Sequence, residues 1–395
     1  MTNITSVGSE RFDSDFLEKL RSDGDPDADA AIATFFDDEL DAPAEGLMNA
    51  MIRHHPNADE ASPALSAFLN EPVELPEWYD DELFVAGQQL FAAYVPQFGL
   101  ALWMASIPAG YAGARDVKVL WGTRQLREHP KRRFLETGQF VLDVMTPGSL
   151  EPGSKGLNDI RHVRLMHAAV RHMLTHEADD IEIKKWDDST GVPINQEALL
   201  ATMFTFNVVG IQSVNKFGIH LNDEEREAYI HAWSVIGYLM GVRGDLLPLN
   251  YADSAAIWQA IKDKEYDESP EGVALTAAAI NVMRDLIPGR FVDGLPAAGL
   301  QFLLGRQTAK LLGVGRPSWT YALFLPMHAF GDLSHRFQRD FAPGRWASER
   351  LGRQVMKSFI EGEWNDERRP RTVKRNGKIA FEVEPEIRRA IGLDE

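Results

Sequence analysis

The spacing of the apolar residues constrains the fold of this chain more than any other feature. From Phe84 to about Met240, apolar residues recur mostly three and four positions apart, which is the period of a helix with one buried face. Few stretches show the alternation and the Val, Ile and Thr enrichment of strands. The sequence therefore predicts an all-α helical bundle, with FEVEPEI (residues 381–387) as one short terminal strand or a docked extended tail.

Two loops contain the residues that begin helices. Asn195 precedes QEALL and can cap a helix there, because its side chain can accept a hydrogen bond from a free backbone N–H. Asn222 precedes the acidic turn DEE, and Glu225 has the spacing of a capping box. We expect helices to begin after both asparagines.

A run without charged residues extends from Leu83 to Ala114 and is long enough to span a bilayer. Gln88, Pro96 and Pro108 interrupt it, and proline breaks or kinks a helix interior. We therefore expect two packed core helices here and no stable membrane span.

The composition excludes several classes of protein. The formal net charge of −18 opposes broad attraction to nucleic acid or to an anionic membrane surface. The absence of cysteine excludes disulfides, thiolate metal sites and cysteine nucleophiles. The N-terminus has neither the basic nor the apolar region of a secretory signal, so we expect a cytoplasmic protein.

Changes in composition divide the chain into three predicted regions. Residues 1–75 are rich in Asp and Ala and are expected to form a helical arm that packs on a larger body. Residues 76–345 are expected to form that body, and residues 346–395 a charged tail packed on it.

The segment RLMHAAVRH places one histidine between two arginines on a predicted helix from about Asn158 to Thr175. Arg164, His167 and Arg171 share one helical face, because they are three and four residues apart. Three apolar residues flank the histidine on its other side: Val163, Val170 and Leu174. A haem needs an imidazole ligand, apolar walls and cations near its propionates, and this face offers all three. A histidine satisfied within the core is the alternative.

An upstream helix, RRFLETGQFVLDVM, presents a second polar cluster. Arg133, Glu136, Thr137 and Phe140 lie on one face by the same spacings. The uncharged residues around Glu136 predict that this helix is buried, and buried polar groups need partners. A solvated stripe is the alternative.

Three motifs taken together resemble a known family. RRFLET, RLMHAAVRHML and AYIHAWSVIGYLMGV are similar, in order and spacing, to the motifs of the haem-containing catalytic domain of the latex-clearing proteins (rubber oxygenases) and of the fungal oxygenase of the mycophenolic acid pathway. The similarity extends over roughly residues 76–242. It implies a helical fold with a globin-like core that holds haem b.

The resemblance also implies roles for individual residues. His167 would be the proximal ligand of the haem iron, and Arg164 and Arg171 would steady the propionates or a surrounding hydrogen-bond network. Arg133 and Thr137 would lie on the distal side, where dioxygen and an apolar organic substrate react.

One position departs from the family. The rubber oxygenases have a lysine immediately before the distal threonine, whereas this chain has Glu136. A carboxylate there would present an acid or a base to dioxygen or to the substrate. This departure and the lack of an export signal make polymeric rubber an unexpected substrate, and a smaller apolar molecule fits better.

Other classes of protein stay open from the sequence. A haem carrier or gas sensor would also need His167. His172 and His176 are one turn apart and could hold a zinc or iron ion, but no third ligand is identifiable. A di-iron site would require paired Glu-x-x-His motifs, and none is present, since Glu227 precedes His231 by four residues. His231 is expected mainly to pack, with a supporting place near the site as a further option.

Overall fold

A computed structural model describes residues 8–38, 63–123, 129–176, 186–286, 293–315 and 319–324. The α-helices, in chain order, are Ser14–Leu20 (α1), Pro26–Asp38 (α2), Pro63–Leu69 (α3), Asp81–Ala93 (α4), Val95–Ala101 (α5), Ile107–Tyr111 (α6), Val117–Gly122 (α7), Pro130–Val144 (α8), Lys155–Thr175 (α9), Gln196–Phe206 (α10), Val208–Lys216 (α11), Asp223–Leu239 (α12), Tyr251–Glu265 (α13), Pro270–Leu286 (α14) and Leu295–Leu311 (α15). Short 3-10 turns and one π-helical segment complete the elements.

The all-α prediction is confirmed. Within the described residues the β-type pairing is one isolated antiparallel bridge between Gly113 and Tyr266. The predicted terminal strand and the charged tail lie outside the described residues. Both predicted caps form: Asn195 accepts from the Ala198 N–H, and Asn222 makes a complete capping box with Glu225.

The uncharged run forms bent core helices. Helix α4 and the segment Val95–Tyr111 meet at an angle of 86°. That segment consists of α5, a π-helical turn Leu102–Ser106 and α6. Pro108 has no N–H to donate to the carbonyl four residues earlier, and such an interruption accompanies π-helical turns. By length and composition Gln196–Lys216 could also cross a bilayer, but 78% of its apolar window is buried inside the protein.

Helix α9 lies between two apolar cores. On one side it packs with α2 and α3 in a small core that includes Ile32, Leu65 and Leu165. The large core contains most of the other helices and includes Ile160, near the start of α9. The described part of the predicted arm thus packs on the body, through α1 against the large core and through α2 and α3 against α9. The boundaries of the three regions stay a prediction.

Helices α4 and α12 pack closely against each other. At Gly87, an added Cβ would lie 2.5 Å from the Ala228 carbonyl oxygen and 2.8 Å from the Ala232 Cβ. Only glycine permits this approach, because the obstructing carbonyl belongs to a helical backbone that cannot move aside.

We predict that Gly87→Ala lowers the free energy of unfolding by about 1–3 kcal/mol, since it overpacks a rigid contact. Gly110→Ala is the control, because an added Cβ there meets no atom within 4 Å. Urea unfolding followed by circular dichroism measures both. Equal midpoints for the two variants would show that α4 and α12 can separate without cost.

Candidate active site

Helices α6 to α10 and α13 line a partly open cavity. Its volume is about 280 Å³. This is close to the lower end of small-molecule sites, roughly 300–1,000 Å³. Most of its surface is apolar, with large side chains from five helices: Val119, Phe134, Met166, Val170, Leu199 and Trp258. The cavity can therefore accept an apolar molecule or a flat apolar cofactor.

His167 lines this cavity from the middle of α9. Its Nδ1 atom is buried and has no hydrogen-bond partner among the described residues. Burial, followed by the positive charges of Arg171 and Arg133, lowers the pKa of His167 to about 3. The imidazole is therefore neutral at physiological pH, which is the form that binds a metal ion.

Arg133 and Thr137 of α8 line the same cavity, as the sequence predicted for one helical face. The Thr137 hydroxyl donates to the Arg133 carbonyl oxygen at 2.9 Å. A hydroxyl has one proton, so the atom that Thr137 presents to the cavity is an acceptor. Arg133 supplies N–H donors and a positive charge nearby.

Glu136 does not line the cavity. Its two carboxylate oxygens accept hydrogen bonds from Arg132 Nε at 2.6 Å and Arg133 Nη1 at 2.8 Å. The carboxylate thus bridges two arginines on its own helix, at i,i+3 and i,i+4 spacing. It fixes the guanidinium of Arg133, which does line the cavity.

Arg164 and Arg171 also lie outside the cavity lining. Arg164 forms a two-point ion pair with Asp25, at 2.5 and 2.8 Å. Arg171 donates to Asp29 at 2.7 Å and to the Ile194 carbonyl oxygen at 3.0 Å. The two arginines that were expected near the propionates therefore form ion pairs with aspartates of α2 and of the turn before it. This geometry favours the supporting network that the sequence offered as the second option.

A buried ionic cluster lies behind the cavity wall. Arg21, only 2% exposed, donates to Glu197 at 2.7 Å and to Asp116 at 2.9 Å. Burial, followed by the negative charge of Glu265, raises the pKa of Glu197 to about 7. Asp116 and Glu265 reach the cavity surface. The cluster joins the arm, through Arg21, to the wall of the site.

Two tyrosines at the cavity were missed by the sequence reasoning. Tyr111 ends α6 and Tyr266 follows α13, and both line the cavity. Each has a buried hydroxyl without a hydrogen-bond partner among the described residues. The backbone bridge between Gly113 and Tyr266 brings their segments together. No periodic pattern in the sequence indicates this contact, which joins residues more than 150 positions apart.

The remaining candidate histidines have structural roles. His231 does not line the cavity; its Nε2 accepts a hydrogen bond from the Asp80 N–H at 3.0 Å, and Trp78 packs on its ring. His172 stacks between Phe36 and His176. Among the described residues no group of three His, Asp or Glu side chains could hold a metal ion. The two-histidine metal site therefore lacks a third ligand there.

Comparison with known proteins defines the class. Residues 85–354 match the model of the family described as "ER-bound oxygenase mpaB/B'/Rubber oxygenase, catalytic domain". The match covers more than half of the chain, and the chain belongs to this family of oxygenase enzymes.

Two particular proteins are similar to this chain. The rubber oxygenase of Streptomyces sp. (strain K30) is 23% identical over 306 residues, which cover 74% of this chain and 71% of that protein. A solved structure of latex clearing protein LCP in the closed state has a TM-score of 0.65 and 18% identity, and the superposition covers 86% of this chain and 91% of that one. At this identity the structural similarity shows a shared all-helical fold.

We predict that His167 makes stability depend on pH in a defined window. The ordinary pKa is 6.5 and the folded value is about 3. Between these values the unfolded chain binds a proton that the folded chain does not, so the free energy of unfolding falls as the pH falls from 6.5 towards 3. His167→Gln should weaken this dependence, measured by urea unfolding of cofactor-free protein at pH 7 and pH 5.

The control for this measurement is His176→Gln, on an exposed histidine at the end of the same helix. It should keep the pH dependence of the unsubstituted protein. If His167→Gln loses as much stability on acidification as the unsubstituted protein, the buried imidazole is not the titrating group.

Proposed function

We propose that this oxygenase uses haem b, with His167 as the axial iron ligand, and acts with dioxygen on an apolar organic molecule smaller than rubber. The observation that carries the proposal is a neutral, half-buried imidazole at the surface of a mostly apolar cavity, whose buried Nδ1 atom has no hydrogen-bond partner among the described residues. Haem iron needs one imidazole from the protein, and its macrocycle needs apolar walls.

The residues present fit the cofactor. The apolar lining, with Met166 and Val170 one residue before and three residues after His167, suits the porphyrin faces. Arg133 is the arginine that reaches the cavity and is available as a cation there. Arg164 and Arg171, paired with aspartates, would hold the ligand helix in position instead of contacting propionates.

Bound haem would supply the activation of dioxygen. The chain's own groups then have separate tasks in this proposal. Arg133 donates hydrogen bonds to an oxygen atom of dioxygen or substrate, and Thr137 accepts one from a protonated group or a water. Glu136 orients Arg133 through its ion pair. The presence of Glu136 in place of the family's lysine therefore affects the distal side indirectly, through the position of Arg133.

Two features favour turnover of a small substrate. Membership in an oxygenase family favours an enzyme over the haem carrier or gas sensor that the sequence left open. The second feature is Glu136 in place of the lysine of the rubber oxygenases, which disfavours polymeric rubber as the substrate.

We predict that His167→Ala abolishes stoichiometric haem while the chain stays helical. Protein from haem-sufficient cells is analysed by absorption spectroscopy and by extraction of the haem as its pyridine complex. Added imidazole should restore a Soret band in the variant, because it replaces the missing ligand. His172→Gln, on the same helix but outside the cavity, should keep its haem. An unchanged Soret spectrum in His167→Ala would exclude His167 as the ligand.

We predict that Thr137→Val and Arg133→Gln keep haem but slow substrate-dependent dioxygen consumption roughly 10- to 100-fold, as expected for loss of one hydrogen bond to a polar or charged group. Glu136→Gln should keep haem and slow turnover less than Arg133→Gln does, because Arg133 stays at the cavity but loses the anionic partner that holds it in position. An oxygen electrode and haem extraction measure the two quantities.

Thr175→Val is the matched control for Thr137→Val. Its hydroxyl also donates to the carbonyl four residues earlier, that of Arg171, but lies outside the cavity. Turnover should be unaffected. If haem content and turnover fall in parallel in the α8 variants, Arg133 and Thr137 serve only to build the cofactor pocket.

A further inference from the structure

The cavity contains two hydrogen-bond donors that the proposed oxygen chemistry does not use. Tyr111 is 2% exposed, and its hydroxyl is fully buried without a partner among the described residues. The Tyr266 hydroxyl is buried and unpartnered in the same way. Each buried hydroxyl that is left unpaired lowers the stability of the folded state by about 1–3 kcal/mol, so buried polar groups in proteins almost always have a hydrogen-bond partner. Both tyrosines line the cavity, so a molecule bound in the cavity can supply the missing hydrogen-bond partners.

Backbone hydrogen bonds join the two segments that carry these tyrosines. The Ala114 N–H donates to the Glu265 carbonyl oxygen, and the Asp267 N–H donates to the Ala112 carbonyl oxygen, both at 3.1 Å. This pair of hydrogen bonds joins the end of α6 to the end of α13. The backbone segments that carry Tyr111 and Tyr266 are therefore held next to each other, and both side chains line the cavity.

The electrostatic surroundings define what the hydroxyls would bind. The charge that acts on Tyr111 is the positive charge of Arg133, and the same arginine acts on His167. Burial raises the pKa of both tyrosines, so both keep their protons and can donate. A positive potential beside an O–H donor favours an electron-rich oxygen over a cationic or N–H group. The acidic residues at the cavity, Asp116 and Glu265, are already paired with arginines.

We propose that Tyr111 and Tyr266 form a polar subsite that binds a carbonyl or hydroxyl oxygen of the substrate, so that the substrate is an apolar molecule carrying an oxygen function and not a pure hydrocarbon. This inference rests on the proposed function for its reaction, and it adds the substrate class. The apolar part would lie against cavity lining that is not assigned to the haem, beginning at Trp258, whose ring centroid is 5.8 Å from that of Tyr266. The two tyrosines are positioning residues for that oxygen.

The test compares binding of dodecane and 2-dodecanone, which differ by one carbonyl group. Purified full-length protein is equilibrated with each probe, and bound probe is measured by gas chromatography. The ratio of ketone affinity to alkane affinity is then determined for the unsubstituted protein, for Tyr111→Phe, for Tyr266→Phe and for the double variant. Comparing these ratios between proteins removes the effect of the different water solubilities of the two probes. We expect this ratio to fall about 10-fold in the double variant and less in each single variant, because the ketone oxygen loses both hydroxyl donors only when both tyrosines are replaced.

Tyr229→Phe is the matched control. Tyr229 is also a fully buried tyrosine, but its hydroxyl interacts with Trp233 and it does not line the cavity. The ratio of ketone affinity to alkane affinity in Tyr229→Phe should equal that of the unsubstituted protein. Thermal unfolding distinguishes a structural role: the two cavity variants should be at least as stable as the parent, because they lose no protein hydrogen bond and remove an unpaired buried hydroxyl.

Three results would overturn the proposal. The ratio could be the same in the double variant as in the parent, which means that water satisfies the hydroxyls. The double variant could lose stability without a change of ratio, which means that the hydroxyls hold the fold. It could lose haem, which means that they bind the cofactor. Failure of the proposed function is separate, because it is read from the absence of haem in the unsubstituted protein.

Discussion

The ion pairs between the arginines of α9 and the aspartates of the arm are the interaction on which the site depends. Arg171 is 3% exposed, and Asp25, the partner of Arg164, is 2% exposed. Removing one partner of a buried pair leaves an uncompensated charge and costs about 3–5 kcal/mol. The arm is therefore part of the structure that holds the histidine helix. An added Cβ at Gly241 would lie 2.3 Å from the Asp25 carboxylate, so this contact also requires a glycine with φ of +91°.

The residues that share one face of α9 have different electrostatic surroundings. The charges of Arg164 and Arg171 are balanced by carboxylates of the arm, whereas His167 borders an apolar cavity. The arginines still disfavour protonation of the histidine, since burial and the charge of Arg171 act together on its pKa. A single helix thus provides a neutral ligand and a rigid attachment to the arm. Both properties suit a residue that must hold a cofactor in one orientation.

The substitution of glutamate for the family lysine has its effect within α8. Glu136 accepts from Arg132 and Arg133 and does not line the cavity. A direct acid or base role would require it to leave both arginines. In the structure its carboxylate acts on the position and charge of Arg133, whose field extends to His167 and Tyr111. The polar character of the cavity therefore depends on one arginine that glutamate restrains.

The sequence by itself determined the helices, their caps at Asn195 and Asn222, and the shared faces of α8 and α9, because these depend on residues within four positions of each other. The resemblance of three motifs also identified the oxygenase family. Only the tertiary structure decided which groups the buried charged and hydroxyl side chains contact. Arg164 and Arg171 pair with aspartates about 140 positions away, and Tyr111 meets the segment of Tyr266 across a backbone bridge. Helical periodicity shows which side of a helix is buried, but the group that each buried charge or hydroxyl contacts is set by the packing of distant segments, which no local pattern encodes.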